Sequence, residues 1–192
     1  DLVDLPSEFQ QGIQRHLQID AFTDSHPIFR GCVNRIDPPL RRYGAILVDV
    51  FFDHVLSRSW DKWSTTELSV FVSNFNEAFI SVSGDIPPLA RERIEHMISA
   101  NWLGSYHEIS GITSALERLS HRLRRPVNLA HAVTHLEQDY DSFREDFDAF
   151  LEGTVNLFAR ITKAGKNLGL SQEQALSLTQ TINQAIQTSG GS

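Results

Sequence analysis

Two helix-like segments carry acids and imidazoles at spacings suited to holding a cation or moving a proton. In the first, His16, Asp20 and Asp24 follow one another at i, i+4 intervals, on a side that also carries Phe9, Ile13 and Leu17. In the second, Asp49, Asp53 and His54 sit within the hydrophobic run Ile46 to Leu56. At about 100° per residue, His54 falls at the centre of the arc drawn by Ile46, Leu47, Val50 and Phe51. Asp49 and Asp53 lie one turn apart on its edge. Carboxylates resist burial unless something positive holds them, so the pattern predicts acids facing inward from neighbouring helices onto a shared divalent cation. Imidazole with carboxylate suits Mn²⁺, Mg²⁺, Fe²⁺ or Zn²⁺, the carboxylates favouring the harder ions. Such an ion polarises a phosphoryl oxygen and activates water.

Each of these residues also has a plainer reading. Two boundary carboxylates and a hydrogen-bonded core histidine on an amphipathic helix would look the same, and spacing alone leaves both readings open. Asp24 or Thr23 would also serve as a helix N-cap ahead of Ser25-His26-Pro27. His131 and His135 form another i, i+4 pair but lack the intervening Glu of a His-Glu-x-x-His zinc helix. They read as surface or boundary histidines, and His26, His96, His107 and His121 have no partner motif. The single cysteine, Cys32, excludes an internal disulfide and reads as a small core residue. Trp60, Trp63 and Trp102 read as core or rim packing.

The elements that must position these groups are helices throughout. Periodicity near 3.6 dominates, and no run alternates with period two. Expected helices run from about Pro6 to Phe22, a short one with Pro27 in its first turn, and a long one from about Arg41 to Ser59 after the stop at Pro38-Pro39. Ser64-Thr65-Thr66-Glu67 caps a helix reaching about Val82. After the break Gly84 to Pro88, helices follow at about Leu89–Trp102, Ser110–Leu123 and Asn128–Leu151, the last extending towards Lys163. Ser171-Gln172-Glu173 caps a final helix with Ala175, Leu178, Ile182 and Ile186 on one face. The expected fold is all-α, a single-domain helical bundle over residues 1–163, with a C-terminal helix at 164–188 and a linker-like tail at 189–192.

The 192 residues suffice for one real core, and 41% hydrophobic with 21% charged residues is ordinary for a globular domain. The net charge of -7 argues against nonspecific nucleic-acid binding. No apolar run approaches a membrane span, and nothing at the start reads as a signal peptide; the single cysteine is what leans toward a reducing cytoplasm. Arginines cluster locally at Arg41-Arg42, Arg91/Arg93 and Arg118 to Arg125. On an acidic protein such patches are what would dock an acidic macromolecule.

The stretch from His16 through Ile19-Asp20, Thr23-Asp24 and Pro27, followed by Asp49, Asp53-His54, Leu56 and Trp60, resembles the acyl carrier protein phosphodiesterases, also called acyl carrier protein hydrolyases. Their pattern is His-x-x-Ile-Asp-x-x-Thr-Asp-x-x-Pro, then Asp-x-x-x-Asp-His-x-Leu with a nearby Trp. Looser likeness continues through Leu116-x-Arg118-Leu119, Arg125-Pro126 and the Tyr140 to Leu151 helix, covering about residues 5–160. The resemblance implies a cytoplasmic, metal-dependent hydrolase of lipid metabolism, serving fatty acid biosynthesis and distantly similar to the all-α HD phosphohydrolases. It would remove 4′-phosphopantetheine from the serine of holo-acyl carrier protein, leaving the apo-protein. On matching positions it implies His16, Asp20, Asp49 and Asp53 as metal ligands, with Mn²⁺ favoured and Mg²⁺ or Fe²⁺ as alternatives. Asp20, Asp53 and His54 would be the reacting groups, and Thr23 and Asp24 would orient them. Arg41, Arg42, Arg122, Arg124 and Arg125 would dock the acidic carrier.

Members of that family open with a segment of the Asn-Phe/Tyr-Leu-Ala-His-Leu-His kind and then Gly-Asn/Asp-x-x-x-Asp-Phe, expected to add a further His and Asp to the centre. Asp1-Leu2-Val3-Asp4 begins just after the place where that segment ends. The sequence as written therefore reads as lacking part of its site, through trimming, disorder or relocation of that segment; the linker-like Ser189-Gly190-Gly191-Ser192 is compatible with relocation. Two other readings compete: an HD-like phosphohydrolase of a small nucleotide or phosphate ester, and a noncatalytic helical adaptor. Metal content separates the adaptor from both hydrolases.

Overall fold

A computed structural model describes residues 7–82 and 87–167, and within them every regular element is helical. The order is α1 (Ser7–Ser25), α2 (Pro27–Arg35), a 3-10 turn at Leu40–Tyr43, α3 (Gly44–Arg58), α4 (Trp60–Trp63), α5 (Leu68–Val82), α6 (Pro88–Ser99), α7 (Trp102–Ser105), α8 (Ile109–Ser120), a second 3-10 turn at Leu129–Ala132, α9 (Val133–Gln138) and α10 (Tyr140–Asn167). The all-α expectation holds.

Packing follows from where the aromatic residues fall. Phe143, Phe147 and Phe150 line one face of α10 at helical spacing and meet Phe51 and Phe52 of α3 edge-on or tilted, at ring separations of 5.3–5.7 Å. Phe29 of α2 closes the group against Phe52 at 5.8 Å. Edge-to-face geometry adds to the roughly 1.5–3 kcal/mol that burying each ring contributes. Helices α2, α3 and α10 thus form the central layer, and Ile112 and Leu116 bring α8 onto α3. Leu129, Ala132, Val133 and Leu136 close the core from the 129–138 segment. Gly44 lets α3 start hard against α2, since a Cβ there would sit 2.7 Å from Val33 Cγ1.

Cys32 is fully buried beside Asp146 of α10, confirming it as a core residue. Arg35 spans the same seam, reaching Asp146 at 2.5 Å and Asp139 at 3.3 Å. Lys62 ties α4 to α10 through Asp148 and Glu152, at 3.1 and 3.2 Å.

Several boundaries differ from expectation for identifiable reasons. Thr23 and Asp24 do not cap α2: α1 continues through them to Ser25, and His26 is the cap, its Nδ1 accepting from the Ile28 N–H at 3.3 Å. The helix expected from Asn128 to Leu151 is three pieces, because Asp139 leaves helical geometry (φ -125°) and its carbonyl begins α10 by accepting from the Phe143 N–H. Trp102 opens α7 rather than ending α6, with Asn101 turning the chain in the left-handed region (φ 46°). Such a conformation is one Asn tolerates better than most residues. Helix α10 runs past Lys163 to Asn167. The remainder of the expected C-terminal helix, its cap at Ser171 and the 189–192 tail lie outside the described residues.

Helix α5 buries Val72 and Phe79 but leaves other large apolar side chains open. Val70, Phe71 and Phe75 are each 44–45% exposed, with Phe71 resting on Trp60 at 4.9 Å.

Candidate active site

The chemistry-bearing residues of α1 and α3 come to one side of the bundle. Helix α1 is fastened there by its C-terminal end: Phe22 and His26 both pack on Phe150 of α10, at 6.3 and 4.9 Å. Its exposed face then carries His16 and Asp20, whose Nε2 and Oδ2 stand 3.4 Å apart. Asp24 is exposed and Thr23 half-buried. The apolar side expected for this helix is only partly used, because Leu17 is 57% exposed.

On α3 the register follows the expected arc except at Ile46, which is 39% exposed. Leu47, Val50 and Phe51 are buried, and His54 between them is 2% exposed. Its Nδ1 lies 2.7 Å from the Tyr106 carbonyl. Only a ring N–H can serve that oxygen, so Nδ1 carries the proton and Nε2 is bare in the neutral ring. Burial pushes the His54 pKa down, against the opposing pull of the Tyr106 bond. One turn nearer the surface edge, Asp53 is half-buried and Asp49 exposed.

The electrostatics of these acids is unusual. Burial, and then the neighbouring Asp49, push Asp53 from an ordinary 3.8 up to about 7. Asp49 keeps solvent on one side, yet partial desolvation is the leading cause of its own raised value. Asp20 and Asp24 across on α1 push it further, and His16 opposes them. Like charges drawn together this way hold protons at pH values where isolated carboxyls have lost them. With no ion bound, Asp53 therefore keeps its proton until near neutrality.

Asp24, Asp49 and Asp53 make no hydrogen bond or ion pair among the described residues. An oxygen-rich donor set with one imidazole and uncompensated charge fits a hard divalent ion, which would hold these acids ionised. His16, Asp20, Asp49 and Asp53 are the groups available to it. They share one electrostatic neighbourhood but do not converge: among the described residues no three such groups stand close enough to hold a metal.

Two participants were missed from the sequence. Tyr106, between α7 and α8, supplies the carbonyl that fixes His54, and its phenol feels Asp53, Arg118 and Asp49. His107 repeats the tie one residue on, its Nδ1 lying 3.2 Å from the Ser57 carbonyl. Gly111 permits this close connection, since a Cβ there would collide with the Ser105 carbonyl. Arg118 is the other. Rather than a solvated member of an arginine cluster, it lies flat over Trp102, 4.4 Å from the ring centroid. The arginines expected to dock a carrier are exposed: Arg41 and Arg42 in the 3-10 turn before α3, and Arg122, Arg124 and Arg125 in the turn after α8. Arg41 donates to the Ile36 carbonyl at 2.7 Å, and Arg42 covers Tyr43.

Comparison with known proteins bears on the same region. A family model described as acyl carrier protein phosphodiesterase matches residues 1–154. Curated proteins of that name from Salmonella agona, Salmonella newport and Salmonella enteritidis are each 29% identical over 143 residues, covering 74% of this chain and 74% of theirs. No solved structure matches at a significant level.

Proposed function

The chain belongs to the acyl carrier protein phosphodiesterase family, and from that premise we propose that it is a metal-dependent phosphodiester hydrolase. Its substrate is holo-acyl carrier protein, and it releases 4′-phosphopantetheine from the carrier's serine in the cytoplasm. The observation that carries this reading is Asp49 on α3, which stands within electrostatic reach of Asp20 and Asp24 on α1 and of Asp53 one turn along its own helix, with no cationic side chain paired to Asp24, Asp49 or Asp53 among the described residues.

In this reading His16, Asp20, Asp49 and Asp53 are the groups that would hold the divalent ion once drawn together, Mn²⁺ by preference, with Mg²⁺ or Fe²⁺ able to replace it. When bound, the ion supplies Lewis acidity towards a phosphoryl oxygen. The chain's own residues do the rest. Asp53, partly shielded from water, accepts and returns the proton exchanged between water and the serine oxygen. His54 holds the end of α3 against the Tyr106 loop through its Nδ1–H bond, which keeps Asp53 in place. Thr23 and Asp24 steady the α1 groups. Arg41, Arg42, Arg122, Arg124 and Arg125 offer the positive surface on which an acidic carrier docks.

Intact-mass measurement of holo-carrier protein incubated with the chain and Mn²⁺ tests the proposal. The expected result is loss of the phosphopantetheine mass, abolished by chelation and restored by added Mn²⁺. Several holo-carriers left unchanged would overturn it.

A further inference from the structure

Arg118 on α8 is built as a binding group without a protein anion to bind. Its guanidinium lies flat on the Trp102 ring, and its Nε and Nη2 are buried with no hydrogen-bond partner among the described residues. Other arginines of the bundle show what a structural role looks like: Arg35 is spent on Asp139 and Asp146, and Arg41 on the Ile36 carbonyl. Leaving a charged donor buried and unsatisfied costs about 1–3 kcal/mol or more. An anion arriving from solution would recover that cost. The planar fork of arginine matches two oxygens of a phosphate at once.

The surroundings point to the same ligand. Tyr106 is locked to α3 by its carbonyl's bond with His54, next in sequence to Asp53. Its phenol stands within electrostatic reach of both Asp53 and Arg118. Acid and guanidinium therefore both act on one phenol without forming an ion pair with each other. A phosphodiester set beside that tyrosine would offer its charged oxygens to Arg118 and its ester oxygen to the acid side.

We propose that Arg118, held flat by Trp102, binds the nonbridging oxygens of the substrate phosphodiester. The assignment rests on the phosphodiesterase reading above and deepens it by naming the residue that grips the phosphate. Arg118→Met keeps the aliphatic stem against Trp102 and removes the charge, whereas Arg118→Lys keeps the charge and removes the fork.

Titration with phosphopantetheine and with inorganic phosphate, followed by tryptophan emission and with Trp102→Phe to identify the responding ring, reads the site without any turnover. Saturable binding is expected in the parent chain, weakened at least about tenfold in R118M, with the melting temperature of R118M equal to or above the parent's. In turnover of holo-carrier, R118M should lose about 10²–10³ in kcat and recover part of it on addition of free guanidinium ion, with R118K intermediate. Equal phosphate binding by R118M and the parent, or no binding by either, would overturn the assignment. Failure of the parent chain to process holo-carrier would count against the phosphodiesterase reading alone, because the titration still decides Arg118.

Discussion

Asp53 serves two masters, and the conflict is measurable. Burial and Asp49 keep its proton on until about pH 7 in the folded chain, whereas an ordinary aspartate releases it near 3.8. Between those values the folded state binds a proton that the unfolded state has lost, so stability falls as pH rises through that window and stays reduced above it. Holding the carboxyl about three pH units above its ordinary range costs at most about 4 kcal/mol, and partial access to water trims this to about 2. Asp53→Asn should therefore stabilise the metal-free protein by about 2 kcal/mol at pH 8 and hardly at all at pH 4, read by urea denaturation at both pH values. The same variant should lose about 10²–10⁴ in turnover of holo-carrier. A variant destabilised at pH 8 would contradict the repulsion described for this site. His54 and its acidic neighbours were visible in the sequence because an eleven-residue apolar run interrupted by two acids and an imidazole has a periodicity that can be checked. The bond that immobilises His54 was not visible, because its acceptor is the backbone carbonyl of Tyr106 and any residue type would supply it. Arg118 was hidden for a different reason: the sequence groups it with the arginines up to Arg125, and only tertiary contact with Trp102 separates it from Arg122, Arg124 and Arg125.

Helix α3 and much of α10 were legible as long apolar-faced segments, and α2 as a short helix with Pro27 in its first turn. Breaks inside helical runs were harder to see. Asp139 departs from helical geometry without any Gly or Pro to announce it, and α9 then packs separately beneath the second 3-10 turn. The reversal into α7 rests on one left-handed Asn, a residue common enough elsewhere to carry no signal alone. The seam between α2 and α10 offers a direct reading of how firmly these elements are joined. Burial pushes the Cys32 thiol up to about 12, helped by Asp146. It should be inert to a thiol reagent in the native protein and react at once in denaturant. Asp146→Ala should speed native-state labelling by about tenfold, because it removes the anchor of Arg35 and loosens α2 from α10. Labelling of native Cys32 as fast as that of free cysteine would contradict this packing.

Across the molecule, a net charge of -7 coexists with exposed arginines in the 3-10 turn before α3 and after α8. Association with an acidic carrier should therefore be steered by local rather than net charge. Replacing Arg122, Arg124 and Arg125 with Glu should raise KM by about tenfold or more while leaving kcat and the melting temperature nearly unchanged. In the parent chain, KM should climb as salt shortens the Debye length. A KM flat from low to moderate salt would remove these residues from docking. None of this surface was assignable from composition alone, since a run such as Arg122 to Arg125 looks the same whether it faces a partner or water. Helix α5 has a separate consequence. With Phe71 and Phe75 nearly half open to water in the intact fold, the native molecule already wears the kind of oily skin that most proteins reveal only on melting. Concentrated stocks are consequently prone to self-adhesion, and environment-sensitive dyes will glow before any heat is applied.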